Sequence, residues 1–411
     1  MQVHIDRMDH FGNGIGNING KIIFVKGALF GETVDLIITK DKKSFMEGTI
    51  NTIIYKSSKR VEPFCKYFGV CGGCSLCHLN YESTLEYKKE RVKNILSKFD
   101  IPKINVIRNE NDLYYRNKIE LKIVDGKLGF YEKSTHNLIE IKECKVTKKS
   151  INKSFEFVKN MKLENANVTI RANYNDEVLI IIDSKETPVI LNPEDYKIVG
   201  IILNDKCIYG QDNFMEKINN LFFTVSYNSF FQINNYINLE LFNLIKENIV
   251  GKTVLDLYSG VGTLSIVASK VVDKVYSIEV IANAVKNALI NAKINKCDNI
   301  NFILGKVEDK IGFINDKIDT VIVDPARAGL DKKTIEVINK LSPQRIIYVS
   351  CDTQSLANNL VDLANYEIKK FYILDMFSYT YHIECFCILD RKTLKNKDFW
   401  FFIKLKRRYF E

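Results

Sequence analysis

No stretch of the 411 residues carries the roughly 18 uninterrupted apolar residues of a membrane span. The opening MQVHIDR has no basic segment followed by an apolar core, the layout of a secretory leader. A cytoplasmic protein is expected, with no membrane partner. Proline is scarce, at six residues, and tryptophan occurs once. With the abundance of Ile, Lys and Asn, this reads as base bias in the coding sequence and carries no functional weight. A further absence is chemical. The turn Gly260-Val261-Gly262 is followed by Ser265 where a dinucleotide fingerprint has its third glycine.

The apolar share of 46 % is ample for packed cores, and the length asks for two or three domains. A net charge of +9 suits a polyanionic partner without proving one. Ten cysteines in a reducing compartment argue for metal, cluster or catalytic use rather than disulfides. The reading is a multidomain α/β protein: a small OB-like β-barrel (1–55), a central α+β domain (56–225), a Rossmann-like doubly wound domain (226–390) and a basic, aromatic tail (391–411). The tail contributes +6 of the net charge and holds Trp400. It reads either as a clamp for nucleic acid or as a poorly packed terminus.

The organising stretch is TVLDLYSGVGTLSI, residues 253–266. A β-branched, apolar run ends in Asp256, crosses the glycine turn and opens a helix, the order by which an open α/β sheet brings backbone to a nucleotide-like ligand. Gly260 and Gly262 are expected to lie against that ligand, since neither has a Cβ. Asp256 and Tyr258 point away from a phosphate cradle, because a carboxylate repels phosphate but holds an ammonium. S-adenosylmethionine, with an ammonium, a carboxylate, a ribose and no phosphate, fits better. Glu279, ending a second strand, is placed to accept the ribose hydroxyls. Asp324 stands at the mouth of a buried strand, Cys351 falls just past the next, and Glu384 opens the last. Gln232, in FFQIN ahead of a helix at 235–248, is either an amide contact to the cofactor's amino-acid end or a helix-entry residue.

Upstream, closely spaced strands and glycine turns suggest a barrel, and FVKGALFGE resembles the TRAM domain, an RNA-binding barrel. Cys65, Cys71 and Cys74, at x5 and x2 spacing with a Gly-Gly pair, can turn their sulfurs to one centre. Cys144 is the candidate fourth ligand, with Cys77 as a local alternative. Zinc and an iron–sulfur cluster are both open by spacing. The loop of radical methylthiolation enzymes, C-x3-C-x2-C, does not occur. Cys207, Cys297, Cys385 and Cys387 read as small core residues. Residues 81–98 read as a surface helix with its lysines outside, and Tyr114–Lys118 as the start of a strand presenting aromatic and basic groups.

Together, FFQIN, DLYSGVGT, DPARAGL, YVSCD, HIEC and the four cysteines resemble the bacterial RNA (uracil-5)-methyltransferase family, and within it the 23S rRNA branch. The resemblance covers nearly all the chain to about residue 390. It implies an S-adenosylmethionine-dependent enzyme, a monomer acting on RNA. It puts an iron–sulfur cluster, of the 4Fe–4S type, on Cys65, Cys71, Cys74 and Cys144, and cofactor contacts on Gln232, Tyr258, Glu279 and Asp324. Cys351 matches the nucleophile and Glu384 the base. Ser259 departs from the usual Cys, and Asp352-Thr353 from the usual Asn-Pro after the nucleophile, which puts that loop's rigidity in question. The branch acting on tRNA typically lacks the barrel and the cluster cysteines, so their presence favours ribosomal RNA.

Overall fold

The computed structural model describes residues 1–132 and 135–392. The basic, aromatic tail, apart from its first two residues, lies outside the described residues.

β1 (Gln2–Met8), β2 (Gly14–Ile18), β3 (Lys21–Lys26), β4 (Thr33–Asp41) and β5 (Phe45–Tyr55) close into a barrel in the order β1-β2-β3-β5-β4. Its interior is filled by alternate residues such as Ile5, Ile23, Val25 and Val34, as the two-residue period of a strand requires. The barrel expectation is met. The cysteine loop follows, then α1 (Tyr81–Ile95) and β6 (Ile104–Ile107). α1 is capped by the Asn80 side chain, which accepts from Ser83 N–H.

A seven-stranded sheet comes next: β7 (Lys118–Val124), β8 (Lys127–Tyr131), β9 (Leu138–Glu140), β10 (Ala166–Ala172), β11 (Val178–Asp183), β12 (Ile198–Leu203) and β13 (Lys206–Gly210), in the order β13-β12-β11-β10-β7-β8-β9. α2 (Lys149–Asn160) lays Ile151, Phe155 and Val158 on it. Cys207, expected in a core, is exposed on β13, where the apolar run belongs to an outer strand. The hairpin β14 (Asn213–Ile218) and β15 (Leu221–Ser226) leads to α3 (Asn235–Asn248), the helix the sequence predicts.

The last layer holds β16 (Thr253–Leu257), α4 (Thr263–Ser269), β17 (Lys274–Glu279), α5 (Ala282–Ile294), β18 (Ile300–Leu304), α6 (Val307–Lys310), β19 (Thr320–Val323), α7 (Lys332–Leu341), β20 (Arg345–Ser350), α8 (Thr353–Asp362), β21 (Tyr366–Leu374) and β22 (Glu384–Arg391). Strand order is β18-β17-β16-β19-β20-β22-β21-β6, with β16 to β20 parallel and β22 antiparallel to both neighbours. This is the Rossmann-like methyltransferase sheet, buried on both faces as its apolar strands demand. The edge strand β6 comes from far upstream, pairing Ile104–Ile107 with Phe371–Leu374, so the segment before the seven-stranded sheet is stitched into the last one.

One expectation needs correcting here. Lys88 of α1 is not on a solvated face: it is fully buried and ion-paired with Asp375 at 2.6 Å. Gly262 has a packing role of its own. It caps α4 at φ +80°, and a Cβ there would meet Ala288 Cβ at 2.9 Å on α5, so its bareness serves helix packing. Gly262→Ala is expected to lower stability by on the order of 2 kcal/mol, from strain and overpacking together. Urea denaturation measures this, and an unchanged midpoint would show that α5 yields freely.

Candidate active site

Register assembles the site. Parallel strands β16, β17, β19 and β20 all end on one sheet edge, delivering Asp256, Glu279, Asp324 and Cys351 there. β22 runs the other way, and Ser350 pairs with Cys385, so Glu384 at its start comes beside the residue after Ser350, which is Cys351. All five line one cavity of about 920 Å³, together with Gln232, Tyr258 and Gly260. Gly262 is absent from that wall.

Where the strands end, the cavity wall is acidic. Burial pushes Asp324 up to about 6 and Asp256 up to about 7, the latter against the opposing pull of the Ser265 hydroxyl. Glu384, 2 % exposed, is held well above the usual carboxylate range by burial and by Asp324. Burial, then Glu384 and Asp324, lift the Cys351 thiol to about 11, while Arg327 pulls it back. One Asp256 oxygen accepts from Ser265 Oγ at 2.5 Å, in a buried chain through Ser277 to Ser259. Its other oxygen, Oδ1, is buried with no partner. An unpaired carboxylate oxygen on such a wall is a receptor for an N–H donor, in keeping with an ammonium.

The other cofactor candidates are positioned by backbone. Glu279 accepts from Gly260 N–H at 2.9 Å and, with its second oxygen, from Val280 and Ile281 N–H, both at 2.8 Å. This fixes its carboxylate and the turn together. Tyr258 sits at φ +63°, a left-handed conformation unusual for a bulky residue, and its hydroxyl bonds Thr334 at 3.1 Å. Gln232 lines the cavity while its carbonyl accepts from Asn117 Nδ2 at 3.1 Å. The FFQIN turn is set by Arg171, which the sequence reading passed over. This buried arginine donates to the carbonyls of Ser226, Tyr227 and Ser229, the last at 2.9 Å. A lone arginine at an inward position of β10, among apolar residues, is the signal that could have found it. The Asp352 substitution keeps the nucleophile loop firm: its carboxylate caps α8, accepting from Ser355 N–H at 2.8 Å.

Cys65, Cys71, Cys74 and Cys144 line the far end of the same cavity, close enough that each of Cys65, Cys71 and Cys144 is pushed up by burial and by neighbouring thiols. Cys77, the alternative ligand, is buried behind them and hydrogen-bonds with Cys74. Four thiols are the right donor set for a cluster. Among the described residues, however, no three His, Cys, Asp or Glu groups stand in a ready-made metal-binding arrangement. Of the Tyr114–Lys118 segment, Tyr115, Arg116 and Lys118 line the cavity, Tyr115 being largely buried and donating to Ser378 O at 3.3 Å.

A Rossmann-like sheet with acidic strand tips, joined to a nucleic-acid-binding type of barrel, defines an RNA-modifying methyltransferase. Residues 190–392 match the tRNA (uracil-5-)-methyltransferase family and residues 1–50 match the TRAM domain. The chain is 33 % identical to an uncharacterized RNA methyltransferase of Clostridium tetani, over 96 % of this chain and 97 % of that one. It is 35 % identical to another of Caldanaerobacter subterraneus, over 95 % and 98 %. Among solved structures, it is similar to the tRNA (uracil-54, C5)-methyltransferase of Pyrococcus abyssi in complex with S-adenosyl-L-homocysteine, with a TM-score of 0.80 and 27 % identity over 95 % of this chain and 100 % of that one. The chain belongs to the S-adenosylmethionine-dependent RNA (uracil-5-)-methyltransferase family, as its motifs lead one to expect. Among the described residues, no helix is long and apolar enough to cross a membrane.

The buried carboxyls give a pH signature. Asp256 and Asp324 ionise at higher pH in the fold than in the unfolded chain, so the fold is favoured while they stay protonated. That contribution is complete below about pH 4 and lost as pH rises through about 6 to 7. Cofactor-free protein is expected to lose urea resistance between about pH 4 and about pH 7, and Asp256→Asn to flatten the slope. A variant slope equal to that of the wild type would remove Asp256 as its cause.

Proposed function

We propose that this protein methylates uracil C5 in 23S rRNA, in the cytoplasm and as a monomer, through a covalent Cys351 adduct resolved by Glu384. The observation that carries the reading is that Cys351 and Glu384, which flank the Ser350–Cys385 pair of β20 and β22, line one cavity with Asp256 and Asp324.

Uracil C5 is too weak a nucleophile to be methylated unaided. The Cys351 thiolate adds to C6, opening the C5–C6 double bond and sending its electrons toward O4, so that C5 becomes enolate-like. S-adenosylmethionine supplies the methyl group as a sulfonium electrophile. Gln232, Asp256, Tyr258, Gly260, Gly262, Glu279 and Asp324 would hold that cofactor on this reading, the unpartnered Asp256 Oδ1 being free to accept from its ammonium. C5 then carries both the methyl and its original hydrogen. Glu384 takes that proton, the double bond re-forms and the thiolate leaves. The target base has to leave its stack to reach the cavity, with Arg116 and Lys118 on the wall to meet phosphate. Cys65, Cys71, Cys74 and Cys144 hold a 4Fe–4S cluster on this reading, zinc being the other metal that the donor set accepts.

Methylation of the tRNA T-loop is the second reading, favoured by the overall likeness to the Pyrococcus abyssi enzyme. The barrel and the four cysteines led the sequence reading to the ribosomal branch. Mapping 5-methyluridine in both RNAs, with and without the gene, separates them.

Cys351→Ala is expected to abolish methyl transfer while S-adenosylhomocysteine still binds, as calorimetry would show; unchanged turnover would refute the mechanism. Anaerobically purified protein is expected to be brown and to contain iron. Serine at position 65, 71 or 74 should remove it, and iron retained in all three variants would dismiss the cluster assignment.

A further inference from the structure

The loop joining β21 to β22, residues 375–383, delivers Glu384 to the cavity, yet it is mostly buried and has no regular structure of its own. Buried backbone must find partners, and here most of those from outside the loop come from residues 75–91, with Ile107 and Tyr115 adding one each. Lys88 Nζ donates to Phe377 O at 2.9 Å, Tyr115 Oη to Ser378 O at 3.3 Å, and Ser75 and Leu76 N–H to Tyr379 O at 3.1 and 3.0 Å. The Arg91 guanidinium donates to Tyr381 O, and Tyr381 N–H donates to Ser75 Oγ at 3.0 Å. The loop's first residue is held hardest: Asp375 accepts from Lys88 at 2.6 Å and from Tyr81 and Ser378 hydroxyls, each at 2.7 Å.

We infer that α1 and the end of the cysteine loop are a positioning template for the proposed base. Lys88, Arg91 and Ser75 are not among the residues that line the cavity; they hold the loop whose next residue is Glu384. One side of that loop takes this template, while Phe377, Thr380 and His382 on the other side line the cavity. The nucleophile stands on a different element, at the end of β20. Loosening the template therefore displaces the base relative to Cys351 and slows proton removal, leaving cofactor binding and the addition to C6 in place.

The inference rests on the assignment of Glu384 as the base, and its test separates the two. Lys88→Met would strand the buried Asp375 charge and risk unfolding, so half-buried Arg91 is the better probe. The assay uses whichever in vitro transcript, 23S rRNA or tRNA, the wild-type protein methylates. In Arg91→Gln, kcat is expected to fall on the order of 10- to 100-fold, the scale of a small misplacement of a reacting group. KM for the transcript and the S-adenosylhomocysteine dissociation constant should stay within about twofold. A protein–RNA band resisting denaturant should accumulate, as in Glu384→Gln, and Arg91→Lys should restore turnover. A trapped band in Glu384→Gln but none in Arg91→Gln would overturn the template alone. No band in Glu384→Gln, with normal methylation, would overturn the base assignment and the template with it.

Discussion

The structure depends on holding several acidic groups together where solvent reaches them poorly. Asp256 and Glu384, both buried, and half-buried Asp324 crowd the carboxyl edge of a parallel sheet on one cavity. Burial without a cation is the costly arrangement for a carboxylate, and all three respond by holding their protons more tightly. A neutral, phosphate-free ligand pocket would have no use for such a cluster, and a phosphate pocket would be ruined by it. A cationic ligand gains from it directly, which is the physical reason the family's sulfonium cofactor suits this edge.

The same edge explains the connectivity. Parallel strands alone deliver residues at their carboxyl ends. The antiparallel β22 adds a residue at its amino end, so that Glu384 faces the product of β20 without either strand bending. The cost is a long buried loop before β22, whose backbone has to be satisfied from outside the sheet. α1, the cysteine loop and β6 provide that. β6 extends the sheet beyond β21 and ends at Ile107, whose carbonyl accepts from Asp375 N–H at 2.9 Å. The upstream third of the chain is thus part of how the last strand is placed.

Local chemistry was legible in the sequence wherever it was written in consecutive residues. The strand–turn–helix at 253–266, the acids at strand tips and α3 at 235–248 follow from apolar periodicity and glycine placement. What was illegible depends on distant partners. Lys88 obeys the helix's polar pattern, and only Asp375, far along the chain, turns it inward. β6 is four residues long and acquires its identity by pairing with Phe371–Leu374. The packing role of Gly262 was hidden because sequence cannot say that Ala288 occupies the space where its side chain would be. Cys207 looked like core because an apolar run does not reveal which strand lies outermost.

The coupled groups at the centre also set an order of events. Glu384 raises the Cys351 thiol, and burial beside Asp324 raises the Glu384 carboxyl in turn. A thiolate and a carboxylate standing together in this cavity would each penalise the other. On the proposed mechanism they never have to coexist: once the sulfur is bonded to C6 its charge has passed into the pyrimidine, and the obstacle to ionising Glu384 is reduced. Once it has released its own proton to solvent, the Glu384 carboxylate takes the C5 proton and is neutral again as the thiolate is released beside it. Two groups that oppose each other's ionisation in the resting site are therefore suited to carrying charge in turn, first the sulfur and then the carboxyl.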